Sequence, residues 1–212
     1  MEKTILCYGD SNTWGYNPSD GSRFGRDVRW TGVLARLLGS SYYVVEEGLN
    51  GRTTAFDDPI EPFRNGREAL DVCLLTHKPI DLFVVMLGTN DTKPFHGVTP
   101  FMSTKGLEFI LMEAGRAEYG PAGQPPKILV LSPIAIGAVR LHDDMRNYFD
   151  ETSARKAAEL GSRYREVAEQ YGCGFLDASQ YASPSVDGIH LGPEGHAALA
   201  AAVAEAVKSM LG

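Results

Sequence analysis

A serine, an aspartate and a histidine can together make a nucleophile, and this chain carries one such set at suggestive positions. Ser11 stands in Gly9-Asp10-Ser11-Asn12, directly after a short apolar run. Gly9 permits a sharp turn there, and the start of a following helix would aim backbone N–H groups at a developing anion. Asp187 and His190 flank Gly188-Ile189. That spacing lets the carboxylate meet one imidazole nitrogen within a single turn and leaves the other for a hydroxyl, which is the logic of a catalytic triad. Asn90 can offer an amide N–H and Gly51 an unobstructed backbone N–H; with the N–H of Ser11 they would form a three-donor oxyanion hole. Taken singly, each residue has a plainer reading. Ser11 and Asn90 suit turns, Gly51 suits a positive φ, and Asp187 with His190 suits a surface ion pair. Their joint occurrence is what points to chemistry. Trp14 is expected to wall the acyl or alcohol pocket, with packing beneath the loop as its alternative.

Such a set works only if the fold gathers it. Apolar runs at Thr4–Tyr8, Tyr42–Val45, Asp81–Leu87, Ile128–Leu131 and Gly174–Asp177 read as strands. The third is apolar on both faces, as in a central parallel strand. Between them lie helical patterns from Trp30 to Leu38, up to His77, from Thr99 to Ala114, and from about Asp150 with Tyr164, Val167, Ala168 and Tyr171 on one face. Pro193 opens a last helix whose core side carries Leu199, Val203, Val207 and Met210. Strand and helix alternate, so an open parallel sheet covered on both faces is expected, as one domain over 1–212. Ligands of such sheets sit outside the carboxyl ends of the strands. The four segments around Ser11, Gly51, Asn90 and His190 each follow a strand or come late in the chain, and should meet on that edge.

Gly9-Asp10-Ser11, the block around Gly51, Gly88-Thr89-Asn90-Asp91 and Asp187-Gly188-Ile189-His190 resemble, in order, the four blocks of the SGNH (GDSL-type) hydrolases. The resemblance implies a three-layer α/β/α, flavodoxin-like sandwich with a five-stranded parallel sheet. It implies Ser11, Asp187 and His190 as triad, and Ser11, Gly51 and Asn90 as oxyanion donors. Gly9 to Gly15, Val28 to Leu34, Glu46 to Leu49 and Gly51 to Thr54 are similar to the arylesterase/acyltransferase branch. That branch implies short acyl esters, acyl transfer to alcohols or peroxide, and a homo-oligomer. Asn12 stands where the GDSL motif has leucine, and the segment Ile134–Phe149 matches less clearly. A carbohydrate O-acetylesterase is the nearest alternative. A flavodoxin-like phosphate- or flavin-binding module is a remote one, and it would have no use for Asp187 and His190.

The bulk properties narrow the field further. The chain has 212 residues and a formal net charge of −7, with no basic face for a phosphate backbone. Arg23, Arg26 and Arg29 read as a salt-bridged loop, interrupted by Asp27. Three cysteines without short spacing argue against a disulfide framework or a zinc site. No run approaches a membrane span and no secretory signal pattern is present, so the expected compartment is the cytoplasm. The expected partner is a small-molecule ester, with no nucleic acid, membrane, metal or organic cofactor. His142-Asp143-Asp144 lacks a distant ligand partner, and His77, His96 and His196 lack a constellation, His196 being read as structural.

Overall fold

The computed structural model describes residues 2–137 and 145–212. His142-Asp143-Asp144 and part of the Ile134–Phe149 segment lie outside them. Five strands, β1 (Lys3–Gly9), β2 (Tyr42–Gly48), β3 (Leu82–Met86), β4 (Lys127–Leu131) and β5 (Gly174–Leu176), form a parallel sheet ordered β2-β1-β3-β4-β5. This is the expected sheet. The chain leaves β1 to one side for β2 and returns on the other for β3, which opens a crevice beyond the carboxyl ends of β1 and β3.

Alternation along each strand feeds two cores. Ile5, Cys7, Val84 and Leu129 face one way, and Leu6, Tyr8, Phe83 and Val130 the other. The first core is closed by α2 (Trp30–Leu38) and α6 (Pro193–Leu211). The second is closed by α3 (Gly66–His77), α4 (Pro100–Ala114) and α5 (Glu151–Gln170). A four-residue helix, α1 (Ser11–Trp14), follows β1 directly. Every residue of β3 is buried, as its unbroken apolar run requires. One packing assignment is corrected. Tyr171 is not on the buried face of α5 with Tyr164, Val167 and Ala168; it caps the helix and is 37% exposed, because Gly172 turns the chain away there.

The arginine-rich loop is salt-bridged. Glu46 on β2 receives Arg29 at 2.5 Å and Arg26 at 3.0 Å, with the Thr31 hydroxyl donating to it as well. Among the described residues no helix is long and apolar enough to cross a membrane.

His196 has a structural task. It is fully buried one turn into α6, and its Nδ1 accepts the backbone N–H of Trp30, 3.2 Å away. Trp30 is the first residue of α2, whose N-cap, Arg29, supplies no side-chain bond. The imidazole therefore stands in for a cap and ties α6 to α2. Burial, with the nearby His190, pushes its pKa down to about 4. Between that value and the ordinary 6.5 the unfolded chain holds a proton that the folded one refuses. The stabilisation is complete above pH 6.5 and is lost as pH falls toward 4, by about 3 kcal/mol in all. Urea unfolding across pH 4–7 should show this slope in the wild type. A His196→Gln variant should be less stable at pH 7 and lose less on acidification.

Candidate active site

The strand ends bring the expected segments together in one cleft. Ser11, Tyr16, Asn50, Gly51, Glu61, Asn90, Lys93, Met145, Tyr148, Phe149 and His190 line a cavity of about 220 Å³. Ser11 opens α1, with Asp10 as N-cap accepting the N–H of Asn12 at 3.0 Å. As the first helical residue, Ser11 has a backbone N–H that the helix itself cannot satisfy. Gly9 must be a glycine, since a Cβ there would sit 2.1 Å from Oγ1 of Thr13 and 2.9 Å from the Met86 carbonyl. Burial pushes the Asp10 carboxyl up to about 6, against the pull of the Asn12 N–H and of His190.

His190 sits between its two partners. Its Nε2 lies 2.8 Å from Ser11 Oγ and its Nδ1 2.5 Å from Asp187 Oδ2. The other oxygen, Oδ1 of Asp187, accepts the backbone N–H groups of Ile189 and His190, both at 2.9 Å. Burial opposes the charge on Asp187, but the His190 ring and these N–H donors outweigh it and hold the carboxyl below its usual range. A charged Asp187 fixes the tautomer with the proton on Nδ1, which leaves Nε2 to accept from the serine hydroxyl. The Tyr16 ring stacks on the imidazole at 4.2 Å between centroids.

Two further loops complete the cleft. Gly51 has φ +77°, a conformation that favours glycine. Its loop is pinned by Arg52, whose guanidinium lies over the Tyr8 ring at 4.0 Å and donates to the carbonyls of Gly9, at 2.9 Å, and Glu47. Asn90 Nδ2 donates to the Arg52 carbonyl at 3.1 Å, and an amide nitrogen has a second hydrogen to give. Next to it, Asp91 is buried, with no cation against it among the described residues. It accepts the Thr54 N–H at 2.8 Å, the Thr54 hydroxyl at 2.5 Å and the Ser103 hydroxyl at 2.7 Å. Tyr164 OH, 2.9 Å from Ser103 Oγ, donates to it, because the serine hydrogen is committed to Asp91. Burial raises the Asp91 carboxyl, and those hydroxyl and N–H donors oppose the rise. The network bolts the Asn90 loop to the loop after Gly51.

Trp14 does not line this cleft. Its ring instead has the guanidinium of Arg23 over it at 5.1 Å, and Gly15 at φ +89° turns the chain between it and Tyr16. The aromatic wall is instead Tyr16, Tyr148 and Phe149. The sequence reading assigns no role to these, nor to Asn12, Asn50, Glu61 or Lys93. Tyr148 and Phe149 precede α5 in a segment without periodicity. Lys93 pairs with Asp58 at 3.3 Å, and His96 lies 3.4 Å from the same carboxylate, so His96 belongs to a buried charge cluster. Among the described residues no group of three or more side chains could hold a metal ion.

A model of the GDSL-like lipase/acylhydrolase family matches residues 7–198. The solved aryl esterase of M. smegmatis is 42% identical, with a TM-score of 0.92, over 99% of this chain and 100% of that one. A carbohydrate acetylesterase from Sinorhizobium meliloti is 35% identical, also with a TM-score of 0.92, over 99% and 100%. An acetylxylan esterase from Xylanibacter ruminicola is 27% identical over 221 residues; the match takes in 96% of this chain and 43% of that protein, so the chain spans less than half of its length.

The geometry predicts a single reactive serine. Phenylmethylsulfonyl fluoride should add one sulfonyl group to the intact protein by mass spectrometry. Ser11→Ala should take up none, and His190→Ala should react more slowly by about 10²-fold or more.

Proposed function

Because the chain belongs to the GDSL-like lipase/acylhydrolase family, we propose that it is a serine esterase that hydrolyses short-chain acyl esters through an acyl-enzyme. The observation that carries this reading is the unbroken line Ser11–His190–Asp187, at 2.8 and 2.5 Å, opening on the cleft. His190 takes the proton of Ser11 as Oγ attacks the ester carbonyl. Asp187 stays ionised and stabilises the imidazolium. The N–H groups of Ser11 and Gly51 and the Asn90 amide receive the tetrahedral oxyanion. His190 then returns the proton to the leaving alcohol, and a water attacks the acyl-enzyme by the same route in reverse.

The size of the cleft supports a small acyl group. About 220 Å³ is below the range of ordinary ligand pockets. Tyr16, Tyr148 and Phe149 give one wall an apolar, aryl-compatible character. Polar groups in the same cleft favour a second reading, a carbohydrate O-acetylesterase: Glu61 and Lys93 line it, and Asn50 Oδ1 is buried there with no hydrogen-bond partner among the described residues. An alcohol or peroxide in place of water would make the same acyl-enzyme an acyl donor.

Self-association also belongs to this proposal. Phe63 is 84% exposed on the loop that carries the cleft residue Glu61, and Val72 on α3 and Phe101 and Met112 on α4 are more than half exposed. Burying them against a second copy removes apolar surface from water. Light scattering should give a multiple of the 23.0 kDa chain mass, and a monomer mass would remove the idea.

Assays separate the two substrate readings. Wild-type protein should hydrolyse p-nitrophenyl acetate, with rates falling steeply as the acyl chain lengthens. Ser11→Ala should lose at least about 10³-fold in kcat while remaining folded. Retained turnover in that variant would remove Ser11 from the role. Phenyl acetate should outrun acetylated sugars if the aromatic wall governs choice, and the reverse order would favour the carbohydrate reading.

A further inference from the structure

Asn12 follows the reactive serine directly and is 2% exposed. Its side chain does not face the cleft; it reaches across to the other end of the chain. Oδ1 accepts the backbone N–H of Leu191 at 2.9 Å, and Nδ2 donates to the backbone carbonyl of Ile189 at 3.4 Å. These two residues flank His190. A single amide thus grips the main chain on both sides of the histidine, from the residue beside its hydroxyl partner.

We propose that Asn12 is a positioning residue, which sets the distance between Ser11 Oγ and His190 Nε2 by clamping the backbone on either side of the histidine. This rests on the reading of Ser11 and His190 as the reacting pair. Asp187 and Asn12 then divide the work. Asp187 binds the His190 ring and the N–H groups of its own turn, so it orients the imidazole within that turn. It makes no bond to α1 that would locate the turn against the serine. Asn12 makes that link, because α1 carries Ser11 and Asn12 as one rigid piece. The His190 carbonyl is meanwhile held within the turn by Ser185 N at 2.7 Å, and the Gly188 carbonyl is tied by Gly137 N at 2.8 Å to the segment after β4. Without the clamp the turn can pivot about that tie relative to the serine while its internal bonds survive.

A leucine at position 12, as in the motif this chain otherwise resembles, could make neither bond. It would leave the buried N–H of Leu191 and C=O of Ile189 unpaired. Displacing a proton acceptor by even about 1 Å from its donor can cost about 10²-fold in rate.

The test compares Asn12→Leu, Asn12→Ala and Asn12→Asp with wild type on p-nitrophenyl acetate, with folding followed by near-UV circular dichroism. Asn12→Leu and Asn12→Ala should lose about 10–10²-fold in kcat, with KM within twofold and the midpoint of the acidic limb of the pH profile unmoved, since the Asp187–His190 pair stays whole. Asn12→Asp keeps an acceptor for Leu191 N–H and, on its alkaline plateau, should recover most of the lost rate. The proposal is overturned by a truncated variant with kcat within twofold of wild type, by a loss carried in KM, by a shifted midpoint, by an Asp variant as slow as the Leu variant, or by failure of both truncations to fold. Ser11→Ala run alongside keeps the two readings apart. If it abolishes turnover, the site assignment stands whatever the Asn12 variants do.

Discussion

An imidazole that serves a carboxylate with one nitrogen and a hydroxyl with the other has no slack. Both bonds must be made in the plane of one ring, and moving either partner by about 1 Å breaks one of them. In this protein the ring of His190 meets that demand with contacts of 2.5 and 2.8 Å. Much of the surrounding structure reads as the means of holding three loops still around that ring. The sheet supplies the coarse placement, because parallel strands deliver their carboxyl ends to one edge. The fine placement comes from side chains that bond to backbone: Arg52 to Gly9 and Glu47, Asn90 to Arg52, and Asn12 to the turn of His190.

Buried charge is handled in two ways here. Glu46 is matched by two arginines, a pairing at the start of α2 away from the cleft. Asp91 and Asp187, close to it, have no arginine or lysine against them among the described residues and accept from hydroxyl, backbone and imidazole donors. A carboxylate buried without donors would be costly, so these networks must stay complete. Completeness makes the loops rigid, and a rigid loop is what the proposed oxyanion donor, the Asn90 amide, needs.

The strands were readable because a buried parallel strand needs an unbroken apolar run, and β3 has the clearest one. The site blocks were readable because Gly9-Asp10-Ser11 and Gly88-Thr89-Asn90-Asp91 sit immediately after such runs, where the fold must place them. What stayed hidden depended on direction and not on type. Trp14 is an aromatic less than one turn from Ser11, yet past it Gly15 takes a positive φ, Trp14 packs with Arg23, and Tyr16 stands against His190 in its place. Tyr148 and Phe149 reach the cleft from a stretch with neither helical nor strand period, so no pattern announced them. Asn12 looked like a departure from a motif, and only its distant partners reveal what an amide does there.

The ring and its hydroxyl partner are 179 residues apart in sequence. The serine stands on α1, directly after β1, while the histidine comes after the last strand. A fragment that stops short of the His190 turn keeps the hydroxyl and lacks its acceptor, so the alcohol gains its hydrogen-bonded imidazole only when that turn packs against α1.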